Sequence, residues 1–270
     1  MAFLGKILDI LDADMAVPTM YGWFHLLFFV GAVAIGVLLC KYKKPTAVFV
    51  NKLILFMALL SILLEVYKQI NYTFSYDGIK ITGDYQWYAF PFQFCSTPMY
   101  VGVLAGILRK GKVYESLCTY LATYALFAGL VVMIYPAQVF ISTIGINIQT
   151  MICHGSMLTV GIYLLGSGYI KAEHKVVLKA VPVFAVLVIV ATILNEVAAA
   201  TGLLERETFN MFFISPHCEG TLPVYSMVQK FVQYPWCMFI YVAIFTLAAY
   251  IMLLIAMAIK KIAAKKPITV

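Results

Sequence analysis

The chain has 270 residues, of which 63% are hydrophobic and only 11% charged, with a mean hydropathy of +0.94. Soluble domains carry about 25% charged residues, so this composition excludes a water-soluble globular protein and points to an integral membrane one. The net charge of +7 would suit a nucleic-acid binder, but its placement along the chain assigns it to membrane topology instead.

Residues 1–17 put Phe3, Leu4, Ile7, Leu8 and Leu11 on one helical stripe ahead of Asp12 and Asp14. This predicts a short helix lying at the membrane interface. The stretch has no small-residue cleavage site and does not read as a signal peptide. Seven apolar stretches of bilayer-spanning length follow, over 18–40, 46–72, 91–109, 113–136, 147–170, 176–200 and 235–259.

Cytoplasmic loops carry the excess of Lys and Arg. One side of the bundle has Lys41, Lys43, Lys44 and Lys52, then Arg109, Lys110 and Lys112, then Lys171, Lys175 and Lys179. Lys260, Lys261, Lys265 and Lys266 add to it, whereas the other side has only Lys6, Lys68, Lys80, Arg206 and Lys230. The expected architecture is one all-α polytopic domain over 1–270, N-terminus outside and C-terminus cytoplasmic, with 18–259 as a seven-helix bundle and 260–270 as a basic tail. The longer connections, 73–90 and 201–234, then lie outside. Within the second, Val224, Met227, Val228, Phe231 and Val232 recur at helical spacing, predicting an amphipathic helix placed to roof a cavity.

Ionisable groups inside spans are costly and default to functional hypotheses. Glu65, Lys68 and Gln69 occupy the outer end of the second span, Cys95 lies one turn into the third, and His154 two turns into the fifth. Asn195 and Glu196 sit in the last two turns of the sixth. All fall in the outer third, which predicts an outer-leaflet pocket between spans two, three, five and six. Simpler readings stand beside this one. Glu65 has Lys68 and Gln69 as ordinary i+3 and i+4 neighbours, Asn195 and Glu196 suit helix–helix binding, and His25 reads as interfacial. His217, Cys218 and Glu219 form a trio without a second ligand cluster, so no metal site is expected. The six cysteines show no zinc-type spacing, and no cofactor is implied. Cys40 and Cys118 read as small apolar filler, and a Cys218–Cys237 disulfide stays open.

The third span is introduced by Pro91-Phe92-Gln93-Phe94-Cys95-Ser96-Thr97-Pro98. Pro91 suits a first helical position, and Pro98 withholds its N–H and should kink or restart the helix. Cys95 is thus expected beside free backbone N–H groups, which favour a thiolate and suit an oxyanion. His154, in Ile152-Cys153-His154-Gly155, would supply the base for acyl transfer. Gly155, Gly161 and Gly166 permit close approach of a neighbouring helix. Glu65, Asn195 and Glu196 are the candidates for orienting the imidazole.

This arrangement, Pro91 to Cys95 opening one helix and His154 nearly sixty residues later, resembles the transmembrane protein 164 family and bacterial YwaF-like membrane proteins. Asn210-Met211-Phe212-Phe213-Ile214, Pro216 and then Pro235-Trp236 look like the Asn-Tyr-x-Phe-Leu … Pro-Trp stretch of the bacterial relatives. The likeness covers roughly residues 45 to 245. It implies an acyltransferase of membrane phospholipids, as in eukaryotic members that make polyunsaturated ether phospholipids. Cys95 would be the acyl-accepting nucleophile and His154 its base. Glu65, Gln69, Gln93, Asn195, Glu196 and Asn210 are the candidate substrate-binding or orienting groups. Gln93 departs from the bacterial relatives, which often carry His there. The partners implied are a phospholipid or other acyl lipid and the bilayer, with no nucleic acid.

Three alternatives stand beside that reading. A lipid hydrolase would use the same Cys–His pair. A non-catalytic seven-helix lipid-binding or receptor-like protein would use neither, and its retinal-binding version lacks a lysine in the seventh span before Lys260. A transporter would need polar groups continuing into the inner half of the spans, which the sequence lacks.

Overall fold

The computed structural model describes residues 2–202, 209–218 and 223–265. Arg206, Glu219, Lys266 and the side chains of Val224 and Lys265, which the sequence readings drew on, lie outside the described residues.

The chain is an all-α multi-pass membrane protein. The helices are α1 (Ala2–Leu11), α2 (Trp23–Tyr42), α3 (Ala47–Asn71), α4 (Thr97–Leu108), α5 (Lys112–Tyr120), α6 (Leu126–Ile134), α7 (Ile144–Gly166), α8 (Val181–Ala200), α9 (Pro223–Phe231) and α10 (Cys237–Lys265). A small antiparallel hairpin, β1 (Phe74–Tyr76) with β2 (Ile81–Gly83), follows α3. A π-turn over Leu121–Ala125 joins α5 and α6 into one continuous rod.

Six helical rods are long and apolar enough to cross a bilayer: α2, α3, α5–α6, α7, α10, and α8 with the turn that leads into it. The seventh predicted span, 91–109, is only partly helical. Its α4 has 12 residues, about 18 Å of rise, which is short of a bilayer. Pro98 rather than Pro91 occupies the first turn of α4. Residues 90–96 reach it through tight turns, with Phe92 N–H donating to Phe90 O (2.7 Å) and Ser96 N–H to Gln93 O (2.8 Å).

Within the bundle α7 is central. The share of its apolar window that is buried is 78%, against 17% in α3 and in α10. Peripheral helices turn large apolar side chains outward, among them Phe56, Leu63, Val186, Ile193, Phe239 and Leu247. That inverted surface is what lipid contact requires. Small residues let α7 approach its neighbours. A Cβ on Gly161 would meet Leu126 of α6 at 2.6 Å, and one on Gly129 would meet His154 O at 2.7 Å.

The turns after α2, α4 and α7 and the C-terminus of α10 gather at one end, which carries the lysine excess and is called here the basic end. Gly111, at φ +95°, makes the tight α4–α5 turn. At the opposite end α1 leaves Phe3, Leu4 and Ile10 exposed, as an interfacial helix would. The segment after it is fastened across α3 and α7. Tyr67 OH donates to Leu11 O (2.6 Å), Met15 N–H to Ser142 O (2.6 Å) and Ile144 N–H to Ala13 O (3.0 Å). Val228 of α9 and Val232 just after it pack on the core, and Met227 and Phe231 are left exposed. Helix α9 touches α10, and none of its described side chains lines the cavity described next.

Candidate functional site

A cavity of about 170 Å³ lies between α3, the turn before α4, the π-turn and α7. Ser61, Glu65 and Lys68 line it from α3, Cys95 and Ser96 from the turn, and Gln149, Thr150, Cys153, His154 and Ser156 from α7. These polar groups lie in the halves of α3 and α7 remote from the basic end. Apolar walls come from Ile54, Met99, Leu121, Ala125 and Met157. The sequence placed the pocket against the sixth span. The structure uses the fourth instead, through Leu121 and Ala125 at the two ends of the π-turn, and π-turns recur at functional sites.

His154 is 6% exposed. Its Nδ1 lies 2.8 Å from Thr150 O, four residues earlier. A carbonyl can only accept, so Nδ1 carries the proton and Nε2 keeps a lone pair. Nε2 is buried and has no hydrogen-bond partner among the described residues. The orienting group is therefore the Thr150 backbone, not Glu65, Asn195 or Glu196. His154 thus brings an unused proton acceptor to a cavity that Cys95 also lines.

Of the donors expected to be free beside Cys95, those that follow it are taken up by turns, whereas Cys95 N–H itself has no hydrogen-bond acceptor among the described residues. Ser96 and Thr97 N–H bond to Gln93 O (2.8 and 3.3 Å), Met99 N–H bonds to Ser96 O (3.3 Å), and Pro98 has none. The cation at the site is Lys68, which pairs with Glu65 at 2.7 Å. Gln69 Nε2 also donates to Glu65 Oε1 (2.7 Å) and to Ala89 O (2.8 Å), and Tyr85 OH donates to Gln69 Oε1 (2.6 Å). Glu65, 7% exposed, is thus held inside rather than snorkelling to water.

Other predicted residues assemble elsewhere. Asn195 accepts Met211 N–H (2.7 Å) and donates to Met211 O (3.0 Å). Gln93 donates to Asn210 O (3.1 Å) and accepts Phe212 N–H (3.1 Å), while Asn210 Oδ1 accepts Ser215 N–H (2.9 Å). Together they clamp 210–215 onto α8 and the turn before α4. Phe212 and Phe213 there hold φ of +58° and +57°, a conformation L-residues seldom adopt. Glu196, half exposed, bonds His217 Nε2 at 3.0 Å, and no group of three or more potential metal ligands occurs among the described residues. His25 is fully buried, contrary to the interfacial reading. It accepts Tyr21 N–H at Nδ1 (2.9 Å) and lies 2.7 Å from Met133 O through Nε2, tying α2 to α6. Cys218 and Cys237 are free thiols.

The sequence reading passed over Ser61, Gln149, Thr150, Cys153 and Ser156. Their signal is periodic. Ser61, Glu65 and Lys68 stand at i, i+4 and i+7, as do Gln149, Cys153 and Ser156, so each set forms a polar stripe along one helix face. Next to the cavity, a groove of about 460 Å³ shares Glu65 and Met99 with it. Val66, Phe74 and Tyr100 line that groove and are exposed. A buried base, a thiol and a cation in one small cavity are residue types that nucleophilic acyl transfer employs. A family model described as the TMEM164 family matches residues 20–253. No curated protein and no solved structure matches the chain.

Proposed function

Because the chain belongs to the TMEM164 family, we propose that it is a cell-membrane acyltransferase moving an acyl group between phospholipids through a thioester on Cys95. The observation that carries this reading is the buried Nε2 of His154, without a hydrogen-bond partner among the described residues, in a cavity that Cys95 also lines.

In the first half-reaction the Cys95 thiol proton passes to His154 Nε2, and the sulfur attacks the donor ester carbonyl. The ester C–O bond breaks, and the departing glycerol oxygen takes the proton from the imidazolium. In the second, the hydroxyl of a lysophospholipid gives its proton to Nε2 and its oxygen attacks the thioester. The C–S bond breaks and sulfur recovers the proton. Lys68, ion-paired within the cavity, is the charge available to the oxyanion in both steps. If water replaced the lysophospholipid, the same steps would give a hydrolase.

Acid-quenched trapping with a phospholipid bearing a labelled acyl chain tests the assignment. Wild type should retain hydroxylamine-sensitive label, Cys153→Ala should behave like wild type, and Cys95→Ala should retain none. Equal labelling of wild type and Cys95→Ala would end the thioester mechanism. Chasing the trapped enzyme with lysophospholipid separates transfer, read as labelled diacyl product, from hydrolysis, read as free fatty acid.

A further inference from the structure

The basic end holds a second concave site, formed by other residues than those around Cys95. A cleft of about 650 Å³ opens between the α4–α5 turn, the segment after α7 and the turn that leads into α8. Arg109, Lys110, Lys171, Lys175 and Lys179 line it, against the carboxylates of Glu115 and Glu173. Five cations less two anions leave a formal charge of +3 in the cleft. Among the described residues only Lys179 is ion-paired there, with Glu115 at 3.0 Å. Arg109 spends its Nε on Gly106 O (3.3 Å) and makes no other side-chain hydrogen bond among the described residues. Tyr114 and Tyr169, their hydroxyls 2.9 Å apart, also line the cleft.

Positive charge at this end serves topology, but topology requires neither a concavity nor cations converging on it from three separate segments. Lys43 and Lys44 lie at the same end and do not line the cleft. The apolar neighbours of the cations decide what kind of anion fits. Leu108, Val113 and Leu178 adjoin Arg109, Lys112 and Lys179 in sequence and are 39, 59 and 61% exposed. A soluble anion would gain nothing from them, whereas a lipid would cover them with its chains while its phosphate met the cations. We propose that this cleft binds the phosphate of an anionic phospholipid in the leaflet at the basic end, with acyl chains along Leu108, Val113 and Leu178. The site is independent of the acyl-transfer reading.

The full chain in phosphatidylcholine nanodiscs doped with photoactivatable phosphatidylglycerol provides the test. Label should map to peptides covering 107–115 and 169–179. Unlabelled phosphatidylglycerol should compete, and phosphatidylcholine and inorganic phosphate should not. Lys171→Gln with Lys175→Gln should cut labelling roughly tenfold, whereas Lys43→Gln with Lys44→Gln should leave it unchanged. Equal loss in both double variants would reduce the site to diffuse surface charge and overturn the proposal. Competition by inorganic phosphate would overturn it in favour of a soluble-anion site. Absence of label from 107–115 and 169–179 on the wild-type chain would also overturn it, whether or not a variant folds. Cys95→Ala should label like wild type, so failure of the acyl-transfer reading leaves this one standing.

Discussion

Gln93 and Cys95 stand two residues apart on one turn, yet they belong to opposite kinds of polar surroundings. Gln93 joins Asn195 and Asn210 in a network that satisfies Met211, Phe212 and Ser215 from their backbone side. Cys95 opens onto a cavity where His154 Nε2 has no hydrogen-bond partner among the described residues. Buried polar groups that are fully paired hold shape, and one left unpaired costs stability unless something else compensates it. The pairing state of a buried polar group, more than its type, separates scaffold from reactive centre here.

That contrast can be broken experimentally. The largest effect should come from His154→Ala, lowering acyl-transfer rate about 10²- to 10⁴-fold while leaving thermal stability nearly unchanged, as read from parallel turnover and unfolding assays. A large loss of stability with no loss of rate would move His154 into the scaffold. Asn195→Ala should do the reverse. It orphans the N–H of Met211 and leaves its C=O with Ile214 N–H alone (3.4 Å), costing about 1–3 kcal/mol, and the molecules that remain folded should turn over at the wild-type rate. Gly129→Ala sharpens the boundary between the two regions. Its Cβ would lie 2.7 Å from His154 O, so α6 and α7 must separate, at about 1–3 kcal/mol with a fall in rate as well. A variant with a lowered melting temperature and unchanged rate would detach the α6 contact from the site.

The smallest effect lies where neither region reaches. In the β1–β2 hairpin, the Lys80 and Ile79 N–H groups bond to Asp77 Oδ1 (2.8 and 2.9 Å) and hold its pKa below the ordinary 3.8. A folded pKa below the unfolded one means the contribution is complete above 3.8 and is lost as pH falls through the lower folded value. Amide exchange at residues 79 and 80, corrected for intrinsic rate, should therefore rise on acidification in wild type and be pH-independent in Asp77→Ala.

Much of this molecule was legible because a membrane simplifies the code. Long apolar runs give the rods, and the lysines mark one common end. Glu65, Cys95 and His154 stood out against their apolar settings, and the structure brings them to one cavity. What could not be read involves backbone partners. The pairing of His25 with Tyr21 N–H and Met133 O, and of Asn195 with Met211, leaves no trace in side-chain identity. The 212–213 stretch takes left-handed dihedrals with two phenylalanines, so no glycine announced it. Pro91 and Pro98 were equally good helix starters on paper, and choosing the first made α4 too long. The fourth span contributes only Leu121 and Ala125 to the cavity, residues without a polar signature.

The π-turn at Leu121–Ala125 has a consequence for how the α5–α6 rod tolerates change in length. A π-turn is an α-helix carrying one surplus residue, and each residue of an α-helix advances the chain by about 100°. The surplus residue therefore sets the angular phase between Tyr120, bonded to Thr97 in α4's first turn, and Gly129, seated against the His154 carbonyl. Deleting one residue within the turn would leave a regular and intrinsically sound helix, yet the two halves could no longer face α4 and α7 at once. A single-codon deletion here should thus be far more damaging than any single substitution at the same positions.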